Sequence, residues 1–171
     1  MLKMFSTQLT GTFQRINEKQ GNHIEDAARA LAQAIVGDGH IYVCGTGEMV
    51  ALHDEIEQGA EKLPKTSIFR EGLTLTPLDR VIVASRHAND EAAIKLTKHI
   101  QAQGAEVIQI SSTTKEDNPL QQLANYHIDT QMTGPMLPFD MERIGFPTLM
   151  GMLYVYHALY LTTKEIISEY E

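Results

Sequence analysis

Three short polar stretches hold the residue types that bind anions. Gly45-Thr46-Gly47-Glu48 follows the apolar run Ile41-Tyr42-Val43-Cys44. Two glycines let a backbone approach a ligand closely, and the first N–H groups of a following helix are free donors. The same residues also make a plain tight turn. Ser85-Arg86-His87-Ala88-Asn89 follows Val81-Ile82-Val83-Ala84. Arg86 is a permanent planar cation suited to phosphate, with the Ser85 hydroxyl and the Asn89 amide as further hydrogen-bonding groups. The alternative has Asn89 as a helix N-cap and Arg86 and His87 solvated. Asp90 and Glu91 suit the dipole of the following helix, but would repel a phosphate set directly on its end. Ser111-Ser112-Thr113-Thr114 follows Val107-Ile108-Gln109-Ile110. Its hydroxyls can serve a sugar, a phosphate or a local turn. A dinucleotide site would need G-x-G-x-x-G. Val50 stands at the third position here, and Glu71 is the available ribose-binding acid.

The elements around these stretches alternate. Leu2, Phe5, Leu9, Phe13 and Ile16 repeat at helical spacing up to Gly21. Asn22 and Glu25 then resemble a capping box opening a second helix through Ile35. Residues 1–37 are thus two leading helices. Strands are expected at Ile41–Cys44, Thr66–Phe69, Val81–Ala84, Val107–Ile110 and, weakly, His127–Gln131. Helices are expected at Met49–Leu63, Asp90–Gln103 and Pro119–Asn125. Short strands separated by helices imply right-handed βαβ units and a parallel sheet. Residues 132–147, rich in Pro and Gly, form a long loop, and 148–170 a final helix. That helix is apolar nearly all round as far as Leu161, which predicts burial in the domain or self-association. In such a sheet ligands bind beyond the carboxyl ends of the strands, where strand order reverses. The three polar stretches all fall there.

The chain of 171 residues predicts one domain, with 22 acidic and 14 basic side chains and a formal charge of -8. That balance argues against broad nucleic-acid binding and against an anionic lipid surface. One cysteine rules out an internal disulfide framework or a cysteine-based zinc cluster. Cys44 falls in a core strand, as a small hydrophobe rather than a nucleophile. No signal peptide is visible at Met1–Ser6, and the cytoplasm follows as the default.

The stretches 41–47, 81–85 and 104–111, with the leading helices and the long final helix, resemble the SIS (sugar isomerase) family of phosphosugar-binding domains. The resemblance implies a three-layer α/β sandwich over residues 1–171. Its five-stranded parallel sheet would have flavodoxin-like order, helices on both faces, and a homodimeric or homotetrameric assembly. The three loops supply the candidate ligand contacts: Gly45, Thr46, Gly47, Glu48, Ser85, Arg86, His87, Asn89, Ser111, Ser112 and Thr113. Family members carry S-x-S-G-x-S/T after the third strand. Only Ser85 matches, with His87, Ala88 and Asp90 in the other places. Phosphoheptose isomerases add a His and a Glu four apart after the first loop, and a His on the last helix. His53, Glu57 and His157 match these once two residues are deleted after the glycine loop. Glu57 and His157 would then move the proton in aldose–ketose isomerisation, or all three would hold zinc. No cofactor is required otherwise. Leu149 stands where the family has a Gln. Three functions are expected from these residues: phosphosugar binding with or without isomerisation, a non-catalytic phosphosugar sensor, and dinucleotide binding.

Overall fold

The computed structural model describes residues 1–170. Five parallel strands run in the order β2-β1-β3-β4-β5, with β1 at Ile41–Gly45, β2 at Thr66–Ile68, β3 at Arg80–His87, β4 at Glu106–Ser112 and β5 at Tyr126–Asp129. Strand order reverses between β1 and β3. The central strands β3 and β4 are buried on both faces along most of their length, so they read as near-continuous apolar runs rather than alternations.

One face of the sheet, through Ile41, Val43, Ile82, Ile108, Ile110 and Ile128, packs on three helices. These are α1 (Leu2–Val36), α2 (Leu52–Gln58) and α5 (Thr148–Ser168). The other face, through Val81, Val83 and Val107, packs on α3 (Glu91–Ala102) and α4 (Pro119–Leu123). The fold is therefore the expected α/β sandwich with flavodoxin-like order.

Three local expectations are corrected. The two leading helices are one helix, α1. Gly21 lies on its exposed side, where a β-carbon would meet nothing. The continuous apolar face of Ile16, Ile24, Ala27 and Leu31 outweighs the roughly 1 kcal/mol that an interior glycine costs. The helix expected at 49–63 is instead a 3₁₀ turn, Gly47–Ala51, followed by the short α2, which Gly59 ends. The loop 132–147 contains a hairpin, β6 (Leu137–Phe139) paired antiparallel with β7 (Glu142–Ile144). The expected burial of α5 in the domain is seen, with much of its apolar surface covered within the chain. Met152, Val155, Tyr156 and Leu159 lie in the core, and Tyr154 stacks on Phe13 of α1 at 4.5 Å. No helix among the described residues is long and apolar enough to cross a membrane.

Candidate functional site

Beyond the carboxyl ends of β1 and β3, at the reversal of strand order, lies an open cleft of about 270 Å³. It is lined by Thr46, Gly47, Glu48, Arg86, His87, Asn89 and Asp90. Its first wall depends on a tight approach. A β-carbon on Gly45 would collide with the Met49 carbonyl, so only glycine lets the 3₁₀ turn fold back on β1. Gly47 has a φ of 56°, in the left-handed region. The Gly45 N–H is not free for a ligand, because it donates to His53 Nε2 at 3.1 Å.

The second wall comes from an irregularity in β3. Ala84 pairs with Ile110 and His87 with Ser112, so Ser85 and Arg86 together oppose the single residue Ser111. This bulge sends the two side chains to different places. Ser85 is buried, donates to the His87 carbonyl at 2.9 Å and accepts from Gln109 Nε2 at 2.9 Å. Arg86 reaches the cleft and donates from Nε to Glu48 Oε1 at 2.6 Å. Its guanidinium lies 5.9 Å from the centre of the Phe146 ring. Glu48 Oε1 also accepts from the Thr148 hydroxyl at 3.0 Å, tying the start of α5 to the glycine loop. Burial alone would raise the Glu48 carboxyl, but hydrogen bonds from Arg86, its own backbone and Thr148 hold it below the usual carboxylate range. Burial, with the Arg86 charge, pushes the His87 imidazole down, and its Nδ1 is buried without a partner.

Asp90, not Asn89, is the N-cap of α3. Its Oδ1 accepts from Ala93 N at 2.8 Å and from the Thr46 hydroxyl at 3.3 Å. The place where a helix N-terminus would hold a phosphate is thus filled by the chain's own carboxylate. Asn89 stays in the cleft wall, with its Nδ2 3.5 Å from Glu116 Oε2.

The hydroxyl run does not join the cleft. Ser111 and Ser112 are buried in β4. Ser111 Oγ lies 2.9 Å from His127 Nε2, Ser112 donates to the Thr113 carbonyl, and Thr113 donates to Asp129 Oδ2 at 2.7 Å. These bonds satisfy the hydroxyls inside the fold, which corrects the expectation that they meet a ligand. Glu71, the acid needed for a dinucleotide, does not line the cleft.

His53, Glu57 and His157 do not converge either. His53 holds the glycine loop through Gly45. Glu57 Oε1 lies 3.7 Å from Arg70, while His157 Nε2 lies 3.7 Å from Glu55, the neighbour that spacing had not singled out. His157 Nδ1 donates to the Leu153 carbonyl at 2.9 Å, which leaves Nε2 toward Glu55. Among the described residues no three His, Cys, Asp or Glu side chains group to hold a metal ion. The expected zinc set therefore does not fit. Cys44 is half-buried, and burial pushes its thiol up, away from nucleophile chemistry.

His53 has a structural role that can be measured. His53→Ala leaves the Gly45 N–H without its acceptor, which costs about 1–3 kcal/mol. A urea titration is expected to show that loss, with His53→Gln recovering part of it. An unchanged midpoint for His53→Ala would remove His53 from this role.

A family model described as "Domain of unknown function (DUF2529)" matches residues 1–167. The chain belongs to the DUF2529 family. This DUF2529 chain is 40% identical to "Uncharacterized protein YwjG" of Bacillus subtilis (strain 168) over 172 residues, 99% of each. Its fold is that of solved sugar-isomerase structures. Phosphoheptose isomerase GmhA from Neisseria gonorrhoeae superposes with a TM-score of 0.65 at 12% identity, covering 95% of this chain and 97% of that one. The Vibrio vulnificus NanR protein, solved complexed with ManNAc-6P, superposes with a TM-score of 0.63 at 10% identity, covering 98% and 66%. The fold neighbours of this DUF2529 protein thus include an isomerase and a protein that holds a phosphosugar.

Proposed function

We propose that this protein binds a phosphorylated sugar, or a related anionic carbohydrate derivative, in the cleft between β1 and β3, without isomerising it. The observation that carries this reading is Arg86, a cation fixed by Glu48 and Phe146 at the reversal of strand order. Only its Nε is engaged among the described residues, so the terminal nitrogens are available to a phosphate. The carboxylate of Asp90, the Thr46 hydroxyl and the Asn89 amide then suit the hydroxyls of a sugar. With Asp90 capping α3, the phosphate belongs at Arg86 rather than on the helix end. The phosphosugar in a neighbour of the same fold supports the ligand class.

The same geometry supports binding without turnover. An aldose–ketose isomerisation needs one group to carry a proton between adjacent carbons of a bound sugar. Glu57 and His157 are held by Arg70 and Glu55, and neither lines the cleft. Non-catalytic sensing is the reading this favours.

A thermal-shift panel of sugar phosphates, their parent sugars and inorganic phosphate tests it. A sugar phosphate at about 100 times its Kd is expected to stabilise the native state by about 2.7 kcal/mol. Arg86→Gln should abolish that shift, and NMR of the incubated sugar phosphate should show no new isomer. No shift at millimolar concentration of any compound would overturn the binding. Isomerisation lost in His157→Ala would overturn its non-catalytic character.

A further inference from the structure

The amino-terminal part of α1 and the β6–β7 hairpin form an apolar surface at one end of this acidic protein. Met1, Leu2 and Met4 are exposed on the helix, and Phe139 and Met141 on the hairpin, Met141 completely. Large apolar side chains exposed singly need no explanation, but a cluster rimmed by polar groups marks an interaction surface. Between the two elements runs a groove of about 430 Å³, with Met136, Leu137 and Pro138 on one side and Met4, Thr7 and Gly11 on the other.

The charges of this region are sorted. Lys3 and Arg15 line the groove and no acidic side chain does, although the chain as a whole carries -8. The hairpin tip has the opposite character. Phe139-Asp140-Met141-Glu142 alternates two apolar side chains with two carboxylates, and all four are exposed. Tip and groove are complementary in both apolarity and charge. The base of that same hairpin, through Met136, Leu137 and Pro138, forms one wall of the groove.

We propose that the groove receives the hairpin tip of a second copy of this chain, in a two-fold dimer in which each tip lies in the other's groove. Tip and groove are neighbours on one surface, so a two-fold axis passing between them pairs both at once. That reciprocity is the condition for an isologous interface. Phe139 and Met141 would cover Met4 and Pro138, while Asp140 and Glu142 approach Lys3 and Arg15. The hairpin is already shaped for this. Arg143 donates to the carbonyls of Pro135 at 3.1 Å and Met136 at 2.9 Å, bracing its base, and Asp140 holds the turn with a φ of 49°. A preformed tip loses little conformational freedom on docking. The groove and the Arg86 cleft share no lining residue, so this inference does not rest on the proposed ligand.

The test is reciprocal charge exchange, read by sedimentation equilibrium at micromolar protein. The chain is expected to be a dimer. Asp140→Lys with Glu142→Lys should raise the dissociation constant by about tenfold or more, as should Lys3→Glu with Arg15→Glu. All four substitutions in one chain should restore much of the dimer. Far-UV circular dichroism checks that each variant is folded, which is expected because all four positions are exposed. A monomeric wild type would overturn the proposal. So would a dimer indifferent to both exchanges, which would associate through another face, or a folded four-fold variant that stays monomeric.

Discussion

Gly45→Ala is expected to remove a large share of the stability of this protein. A β-carbon at position 45 would stand 2.6 Å from the Val50 nitrogen, and closer still to the Met49 carbonyl. Both obstacles are backbone, so no rotamer change relieves them. The residue is also central: it pairs with Ala84 in the sheet, and its N–H is the donor to His53. Either β1 or the 3₁₀ turn must move, at a cost of about 3 kcal/mol or more. Domains of this kind have only about 5–15 kcal/mol in total. At roughly 2–4 °C per kcal/mol, the melting temperature should fall by several degrees, to the order of 10 °C. Gly47→Ala is the control. A β-carbon there meets nothing, and only the positive φ is penalised, by about 1–2 kcal/mol. Calorimetry of the two variants should rank Gly45→Ala as the more damaging. The reverse order, or a Gly45→Ala protein as stable as wild type, would show that the turn does not need the close approach.

A second large effect is expected from acid. His127 is buried on β5 against Ser111, and burial pushes its imidazole down to about 4, with Asp129 opposing and His23 adding to the shift. In the unfolded chain the same group titrates near 6.5. Between those values the unfolded chain binds a proton that the folded chain refuses. Stability is therefore complete above pH 6.5 and is lost as pH falls toward 4, by about 3 kcal/mol for this group. His87, shifted in the same direction, adds a loss of the same sign. The Glu48 carboxyl lies below the usual carboxylate range and weakens the fold only at the acid end of the window or beyond it. Urea unfolding at pH 7.5 and 4.5 should show the loss in wild type. His127→Gln, which keeps a hydrogen-bonding group for Ser111, should show a much smaller one. Equal slopes in the two proteins would take His127 out of the account.

The fold was legible because its signals are local and repeated. β1, β3 and β4 contain apolar runs followed by polar turns, and α1, α3 and α5 carry apolar residues at helical spacing. The parallel order follows once such units alternate. Gly21 misled for a definite reason: a glycine breaks a helix only when packing does not outweigh its cost, and the packing of α1 comes from strands and helices far along the chain. The hairpin at 137–144 was hidden among prolines and glycines that signal loop equally well.

The candidate site was half legible. Thr46, Gly47, Glu48, Arg86, His87 and Asn89 were found because they follow strand ends, and the structure does bring them to one cleft. Ser85, Ser111, Ser112 and Thr113 were chosen on the same grounds and are spent inside the fold. Nothing in their spacing reveals the β3 bulge that turns Ser85 inward and Arg86 outward. Asp90 and Phe146 were the residues missed as site members. Asp90 had a readable signal, as a carboxylate just before a helix whose N3 N–H needs a partner. Phe146 had none, being 60 residues from Arg86 in sequence and brought there by the hairpin.

Sequence alone determined that this chain builds a parallel sheet covered on both faces, and it marked the three strand-end loops as the places to look for an anion site, with Arg86 as one of several local donors. Those conclusions rest on covalent neighbours and on periodicity, which a sequence records directly. Tertiary structure decided which polar groups remain free. Hydrogen-bonding capacity is finite, and whether a hydroxyl or imidazole is already engaged depends on partners distant in the chain: His53 with Gly45, Ser111 with His127, Glu55 with His157.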